Sequence, residues 1–267
     1  MSLAETQVPP YPVAAADAPR LSALVVARNE ETQLGDCLGC LAFAEEIVVV
    51  LDRCEDRSAD IACEFTDRIV EGAWEREGPR RNAGITACHG ECIVEIDADE
   101  RVPPELAAEI RAVAEHSQAD WHLIPVDNYI GDHLVRWGWG ASFGRSAYAG
   151  LFHKHAKRWG DQRVHPAVQL SGKQGPPLAA RLDHHVDRNI SDMLRRLDRY
   201  TSLRAQDLRD SGDIGSLARN LRRIVSRFWK CYIGRRGYRE GAWGLLIALC
   251  AALYPILSYL KARLEPH

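Results

Sequence analysis

Strand-length apolar runs recur through the first half of this chain, and each ends abruptly in charged residues. Residues 21–27, 47–51 and 92–96 are such runs, and shorter strand signals occur at 68–70 and 121–126. Between them the sequence switches to helical character. Asn29 is placed to cap a helix after the first run, Ser58 to cap one reaching Phe65, residues 79–88 form another, and Pro103-Pro104 opens one ending near His116. Strands alternating with helices over this length predict an α/β domain, with a mainly parallel central sheet covered by helices on both faces. Ligands of such sheets gather at the carboxyl ends of the strands.

The third long run ends in the most suggestive polar group, Ile93-Val94-Glu95-Ile96-Asp97-Ala98-Asp99-Glu100-Arg101. Two carboxylates one residue apart at a strand end suit a hard divalent cation and a phosphorylated ligand. Asp-x-Asp also occurs in solvated turns, so the pair draws its weight from its neighbours.

The 267 residues suffice for one α/β domain with a helical extension, and 46% hydrophobic content supplies its core. The net charge of -3 is unevenly spread, because residues 195–239 are rich in arginine while the first half is acidic. Residues 1–20 are Pro/Ala-rich and lack the basic, apolar and cleavage regions of a signal peptide. The eight cysteines are therefore expected to be reduced and the chain cytoplasmic. Cys37-x-x-Cys40 and Cys88-x-x-x-Cys92 resemble half-sites for zinc, but Cys37 shares an apolar helical face with Leu34, Leu38 and Leu41 and reads as core.

From 128 to 181 the periodicity gives way to Gly-, Trp- and His-rich segments, expected to form acceptor-binding loops and an antiparallel excursion. Within them, Trp137-Gly138-Trp139-Gly140 offers aromatic faces for packing or for a sugar ring. His184-His185 is either a second metal contact or a polar strand end. Helical spacing returns at Leu194, Leu197, Tyr200 and Thr201, and again at Leu217, Leu221, Ile224, Val225 and Phe228. Residues 241–260 are almost uncharged and follow Arg222, Arg223, Arg227, Lys230, Arg235, Arg236 and Arg239. Pro255 and several small residues weaken a spanning helix, and a helix docked on an anionic membrane surface is favoured over a spanning or a buried core helix. The expected organisation is a flexible tail at 1–20, the α/β domain at 21–186, and a helical region at 187–267 containing the docking segment 241–260.

Four strand-end signals then fall into order: Arg28-Asn29-Glu30-Glu31, Asp52, Gly78-Pro79-Arg80-Arg81-Asn82 at a helix start, and Asp97-Ala98-Asp99. This order resembles the family 2 glycosyltransferases of the GT-A fold. Val164-His165, Asp198-Arg199-Tyr200-Thr201 and the segment Tyr232-Ile233-Gly234-Arg235-Arg236-Gly237-Tyr238 make the chain similar to the lipopolysaccharide core glucosyltransferase group. The resemblance implies an inverting enzyme that uses a nucleotide sugar, most simply a UDP-sugar, with Mn²⁺ or Mg²⁺. Its acceptor would be a glycan or glycolipid of lipopolysaccharide or cell-envelope polysaccharide synthesis, reached at the inner face of the cytoplasmic membrane. On the matching positions, Glu30 and Asp52 would contact the nucleoside, Arg81 the base or diphosphate, Asp97 the ribose side, and Asp99 the metal.

The proton acceptor departs from the pattern. Relatives carry Val-His-Glu where this chain has Val164-His165-Pro166, which leaves Asp161 and His165 as candidates for the catalytic role. The missing glutamate also keeps open a membrane-docked scaffold on a decayed transferase fold. A sugar nucleotidyltransferase would need a glycine-rich phosphate loop with a following lysine near the N-terminus, and a nicotinamide-dependent oxidoreductase would need Gly-x-Gly-x-x-Gly after the first strand; neither is present. The arginine-rich helices adjoin an apolar segment and lack an aromatic stacking platform, so no nucleic-acid partner is expected.

Overall fold

The computed structural model describes residues 19–139, 145–162 and 167–265. Strand β1 (Leu21–Ala27) is buried along its whole length because both of its faces are covered. Ala23, Val25 and Ala27 pack into one core with Leu34, Cys37, Leu38 and Leu41, while Leu24 and Val26 enter a second with Ile85, Cys88 and Phe152. A strand with solvent on neither side has no reason to alternate, hence the continuous apolar run.

The chain continues through α1 (Leu34–Gly39), β2 (Glu46–Asp52), α2 (Ser58–Phe65), β3 (Ile69–Gly72), α3 (Glu77–Ala87) and β4 (Cys92–Asp97). It then passes through β5 (Glu100–Arg101), α4 (Pro104–His116), β6 (Trp121–Ile130), β7 (His133–Val135) and β8 (Ala147–His153). After β9 (Lys157–Trp159), β10 (Val168–Leu170) and β11 (Leu182–Asp187), the helices α5 (Ile190–Asp210), α6 (Leu217–Trp229) and α7 (Gly241–Leu264) complete it. A π-helical turn at Lys230–Gly234 and a 3-10 turn at Gly237–Glu240 join α6 to α7.

Among the described residues the main sheet has the order β3-β2-β1-β4-β8-β6-β11-β5, with β7 paired to β6. Strands β3, β2, β1 and β4 are parallel, and β8 runs antiparallel between β4 and β6. The antiparallel excursion expected in 128–181 therefore places β8 inside the main sheet, next to the strand bearing the acidic turn. β9 and β10 form a separate antiparallel ribbon.

Helix α3 lies unusually close to the sheet. A Cβ on Gly84 would come within 2.5 Å of Leu24 and 2.7 Å of Val50, and one on Gly78 within 1.8 Å of the Gly160 carbonyl oxygen. Only glycine permits both approaches, and they bring the amino end of α3 to the carboxyl ends of the strands.

A further core joins Ile130 and Val135 to Met193, Leu197, Cys231, Ile247, Ala248, Ala251 and Tyr254. The buried pair Arg196–Asp187, 2.7 Å apart, ties α5 to β11. Helix α7 is long and apolar enough to cross a membrane by length and composition, yet much of it, including Pro255, is buried against α5 and α6.

Candidate active site

The carboxyl ends of β1, β2 and β4 meet in a group of acids. Asn29, expected to cap a helix, instead adopts a left-handed backbone (φ 56°), and its side-chain oxygen accepts from the Glu55 amide at 2.8 Å. It braces the loop after β1 against the loop after β2, and α1 starts later, at Leu34. Ser58 is buried as the first residue of α2, where its hydroxyl accepts from the Glu30 amide at 2.9 Å. Glu30 is thereby held facing the acidic turn, and its carboxyl is pushed up to about 7 by burial and then by the negative charges of Asp99 and Asp97, against the opposing charge of Arg199.

Asp52 lies buried at the end of β2. Its carboxylate receives the Arg53 Nε (2.9 Å), the Arg80 Nη1 (3.1 Å) and the Trp74 amide (3.1 Å). These donors outweigh burial and hold its acidity below the usual carboxylate range.

Glu95 and Asp97 lie two apart on β4 and so share a face. Arg81 on α3 bridges them, with Nη1 on Glu95 and Nη2 on Asp97, while Nε holds Glu77; all three distances are 2.8 Å. Its guanidinium also lies 4.8 Å from the Trp159 ring centroid. Glu95 is completed by Lys157 and the Trp159 indole. Burial disfavours the charge on Asp97, but Arg81 and Arg145 outweigh it and keep that carboxyl well below its ordinary value. Arg81, which the family resemblance would set at a base or diphosphate, holds three carboxylates in this structure and orients Asp97.

The turn after β4 is stapled by Glu100, which accepts the Asp97 amide at 2.8 Å and pairs with Arg145. Arg145 also reaches the second oxygen of Asp97 at 3.2 Å. Asp99 remains about one-third exposed, and its Oδ2 lies 3.3 Å from the Nε2 of His184 on β11. His184 Nδ1 lies 3.0 Å from the amide oxygen of Asn128, which only accepts, so Nδ1 must be the donor. A neutral His184 then points its Nε2 lone pair at a carboxylate. Either a proton or a cation is needed between them, and Asp99 accordingly draws the His184 pKa upward against the effect of burial.

This is also the fit test for a divalent metal. Among the described residues no three His, Cys, Asp or Glu side chains converge as a complete cage. The Asp99 oxygen and the His184 nitrogen would supply two of the donors that a divalent ion needs.

Asp161 lies at the rim, 66% exposed in its side chain and ion-paired with Arg76 just before α3. His165 lies outside the described residues. Beside Arg145 opens a cavity of about 810 Å³, lined among others by Trp137, Trp139, Arg136, Arg181 and Arg235. No sequence signal assigns a role to Glu95, Glu100, Arg145 or Lys157 individually. Glu95 alone stands out, as a charge two residues before Asp97 within an apolar strand.

Residues 22–165 match the sequence profile of Glycosyl transferase family 2. A lipopolysaccharide core biosynthesis glycosyltransferase, LpsC of Rhizobium meliloti, is 23% identical over 251 residues, covering 90% of this chain and 91% of that protein. The putative glycosyltransferase EpsH of Bacillus subtilis is 32% identical over 107 residues, covering 37% of this chain and 31% of that protein. Among solved structures, residues 1–349 of S. aureus TarS in complex with UDP align with a TM-score of 0.49 at 12% identity, covering 91% of each chain. Glucosyl-3-phosphoglycerate synthase of Mycobacterium tuberculosis, in complex with Mn²⁺ and UDP-glucose, aligns at 0.35 and 18%, covering 42% of this chain and 44% of that one. With a family match across more than half its length, a mixed central sheet flanked by helices and a long C-terminal helix, the chain belongs to glycosyl transferase family 2.

Proposed function

We propose that this glycosyltransferase moves a sugar, with inversion at the anomeric carbon, from a UDP-sugar to a glycan or glycolipid acceptor of lipopolysaccharide or cell-envelope polysaccharide synthesis. The observation that carries the reading is the Asp99–His184 pair beside Glu30 and Asp97 at the strand ends. The length-spanning likeness to LpsC supports the acceptor class. Glu30 and Asp52 hold the nucleoside and Asp97, oriented by Arg81 and Arg145, the ribose side. Asp99, with His184, would hold Mn²⁺ or Mg²⁺, which would neutralise charge on the diphosphate.

The acceptor hydroxyl attacks the anomeric carbon, its proton passes to a side-chain base, and the bond from that carbon to the diphosphate oxygen breaks, releasing UDP. Asp161 is ranked ahead of His165 as the base, with His165 assigned to the diphosphate, metal or acceptor. The acceptor enters by the cavity lined by Trp137 and Trp139, next to Arg145. The enzyme works in the cytoplasm at the inner face of an anionic membrane.

Melting-temperature shifts with UDP-, GDP- and dTDP-sugars, with and without Mn²⁺, test the reading. A Mn²⁺-dependent shift with a UDP-sugar is expected. No shift with any sugar nucleotide would leave the decayed-scaffold alternative, motivated by Pro166 in place of glutamate, as the better account.

A further inference from the structure

Helix α6 presents an apolar ridge to solvent. Leu217, Leu221, Val225 and Trp229 recur every fourth residue on one side, exposed by 47%, 49%, 70% and 63%. At this spacing they form one continuous stripe about three turns, or about 18 Å, in length. The inward face of α6 is a different one: Asn220 is buried and Ile224, Arg227 and Phe228 are half-buried, facing α7.

The exposed flank beside this stripe and the turns that follow α6 are cationic. Between Leu217 and Arg239 the chain contains no Asp or Glu, while Arg219, Arg222, Arg223, Arg227, Lys230, Arg235, Arg236 and Arg239 all lie there. Among the described residues no ion pair joins Arg219, Arg222, Arg223 or Lys230 to a carboxylate. Two clefts of about 390 and 440 Å³ run along α6 against α7 and share Arg223 and Arg227. Burial and the neighbouring charge of Arg223 make Arg227 a weaker base than usual, as expected where cations are gathered together.

An exposed apolar stripe beside unneutralised guanidinium groups fits a surface that offers hydrocarbon and phosphate together. We propose that α6 lies in the plane of an anionic phospholipid bilayer, with Leu221, Val225 and Trp229 at the acyl boundary and Arg219, Arg222, Arg223 and Lys230 among the headgroup phosphates. This rests on the membrane-surface placement proposed above and assigns the contact to a different element from the apolar segment 241–260. Most of α7 is turned into the helical core, and its exposed side is the narrow row Leu245, Leu249 and Leu253.

The test is co-sedimentation of the full chain with phosphatidylcholine vesicles, with and without phosphatidylglycerol. The variants are Val225→Asp with Trp229→Asp, Arg219→Gln with Arg222→Gln and Arg223→Gln, and Leu245→Asp with Leu249→Asp. Wild type is expected to bind the phosphatidylglycerol vesicles, the α6 acidic variant to bind at least about tenfold more weakly, and the arginine variant about a hundredfold more weakly. Every chain is also melted with and without a UDP-sugar and Mn²⁺, so that folding and donor binding are read independently of lipid. If wild type binds vesicles and folded α6 variants bind equally well, the α6 assignment is overturned while membrane placement stands. Loss confined to the α7 variant also overturns it. If wild type ignores both vesicle types, membrane placement and the α6 assignment fall together, whatever the donor result.

Discussion

Asp99 on the turn after β4 and His184 on β11 face each other with 3.3 Å between Oδ2 and Nε2. Because the opposite nitrogen of His184 donates to Asn128, this contact is satisfied only by a proton or a cation. Asp99→Asn removes the charge and keeps the shape. The variant is expected to melt within ~0.5 kcal/mol of wild type, since Asp99 is partly exposed, while losing the Mn²⁺-dependent shift on adding a UDP-sugar. A retained shift would remove Asp99 as the metal ligand.

Arg81 carries three carboxylates, of which Glu95 is fully buried. Arg81→Met strips one partner from each, and urea unfolding should show a loss of ~3 kcal/mol or more. Arg81→Lys offers a point charge in place of a planar fork and is expected to recover only part of that loss. Stability equal to wild type in Arg81→Met would show that the network contributes nothing to folding.

Glu30 gives a pH signature in metal-free protein. Its folded-state value of about 7 lies above the ordinary 4.5, because of burial and then Asp99. Between those values the folded chain holds a proton that the unfolded chain has released, so stability falls as pH rises through the window and stays lower above it. Glu30→Gln removes the titration. It should be more stable than wild type by ~2 kcal/mol at about pH 8, discounted for the solvent-exposed part of the side chain, with the gap closing by about pH 4. A pH-independent difference would reject the assignment.

The base is tested by comparing pH–rate profiles of Asp161→Asn and His165→Ala. The true base should lose about a hundredfold or more in kcat/KM, together with the acidic limb of its profile. Asp161 pairs with Arg76 in the free enzyme, so Arg76→Ala serves as a control for loss of that pair alone. Near-normal rates in both Asp161→Asn and His165→Ala would reject both candidates.

Which of these features were legible beforehand depended on how local their cause is. β1 agrees residue for residue with the apolar run 21–27, and β4 with 92–96 to within one residue, because a strand covered on both faces announces itself in consecutive side chains. Asn29 suits a helix cap and a left-handed turn equally, since both favour the same amino acid, and the fold takes the turn. The composition of the apolar segment 241–260 says only that it avoids water, which suits membrane docking, spanning and core packing alike. The structure turns most of that helix towards α5 and α6 and leaves the exposed stripe on α6.

The alternation of strands and helices from β1 to β4 and the acidic turn at the end of β4 follow from the sequence alone, since both arise from neighbouring residues and the burial period they impose. Arg145 on Asp97, His184 on Asp99 and the insertion of β8 between β4 and β6 do not. A carboxylate's partner depends on which distant strand arrives beside it and in what register. Strand pairing and core packing settle that across the whole chain, and a one-residue slip would send the same side chain to the opposite face.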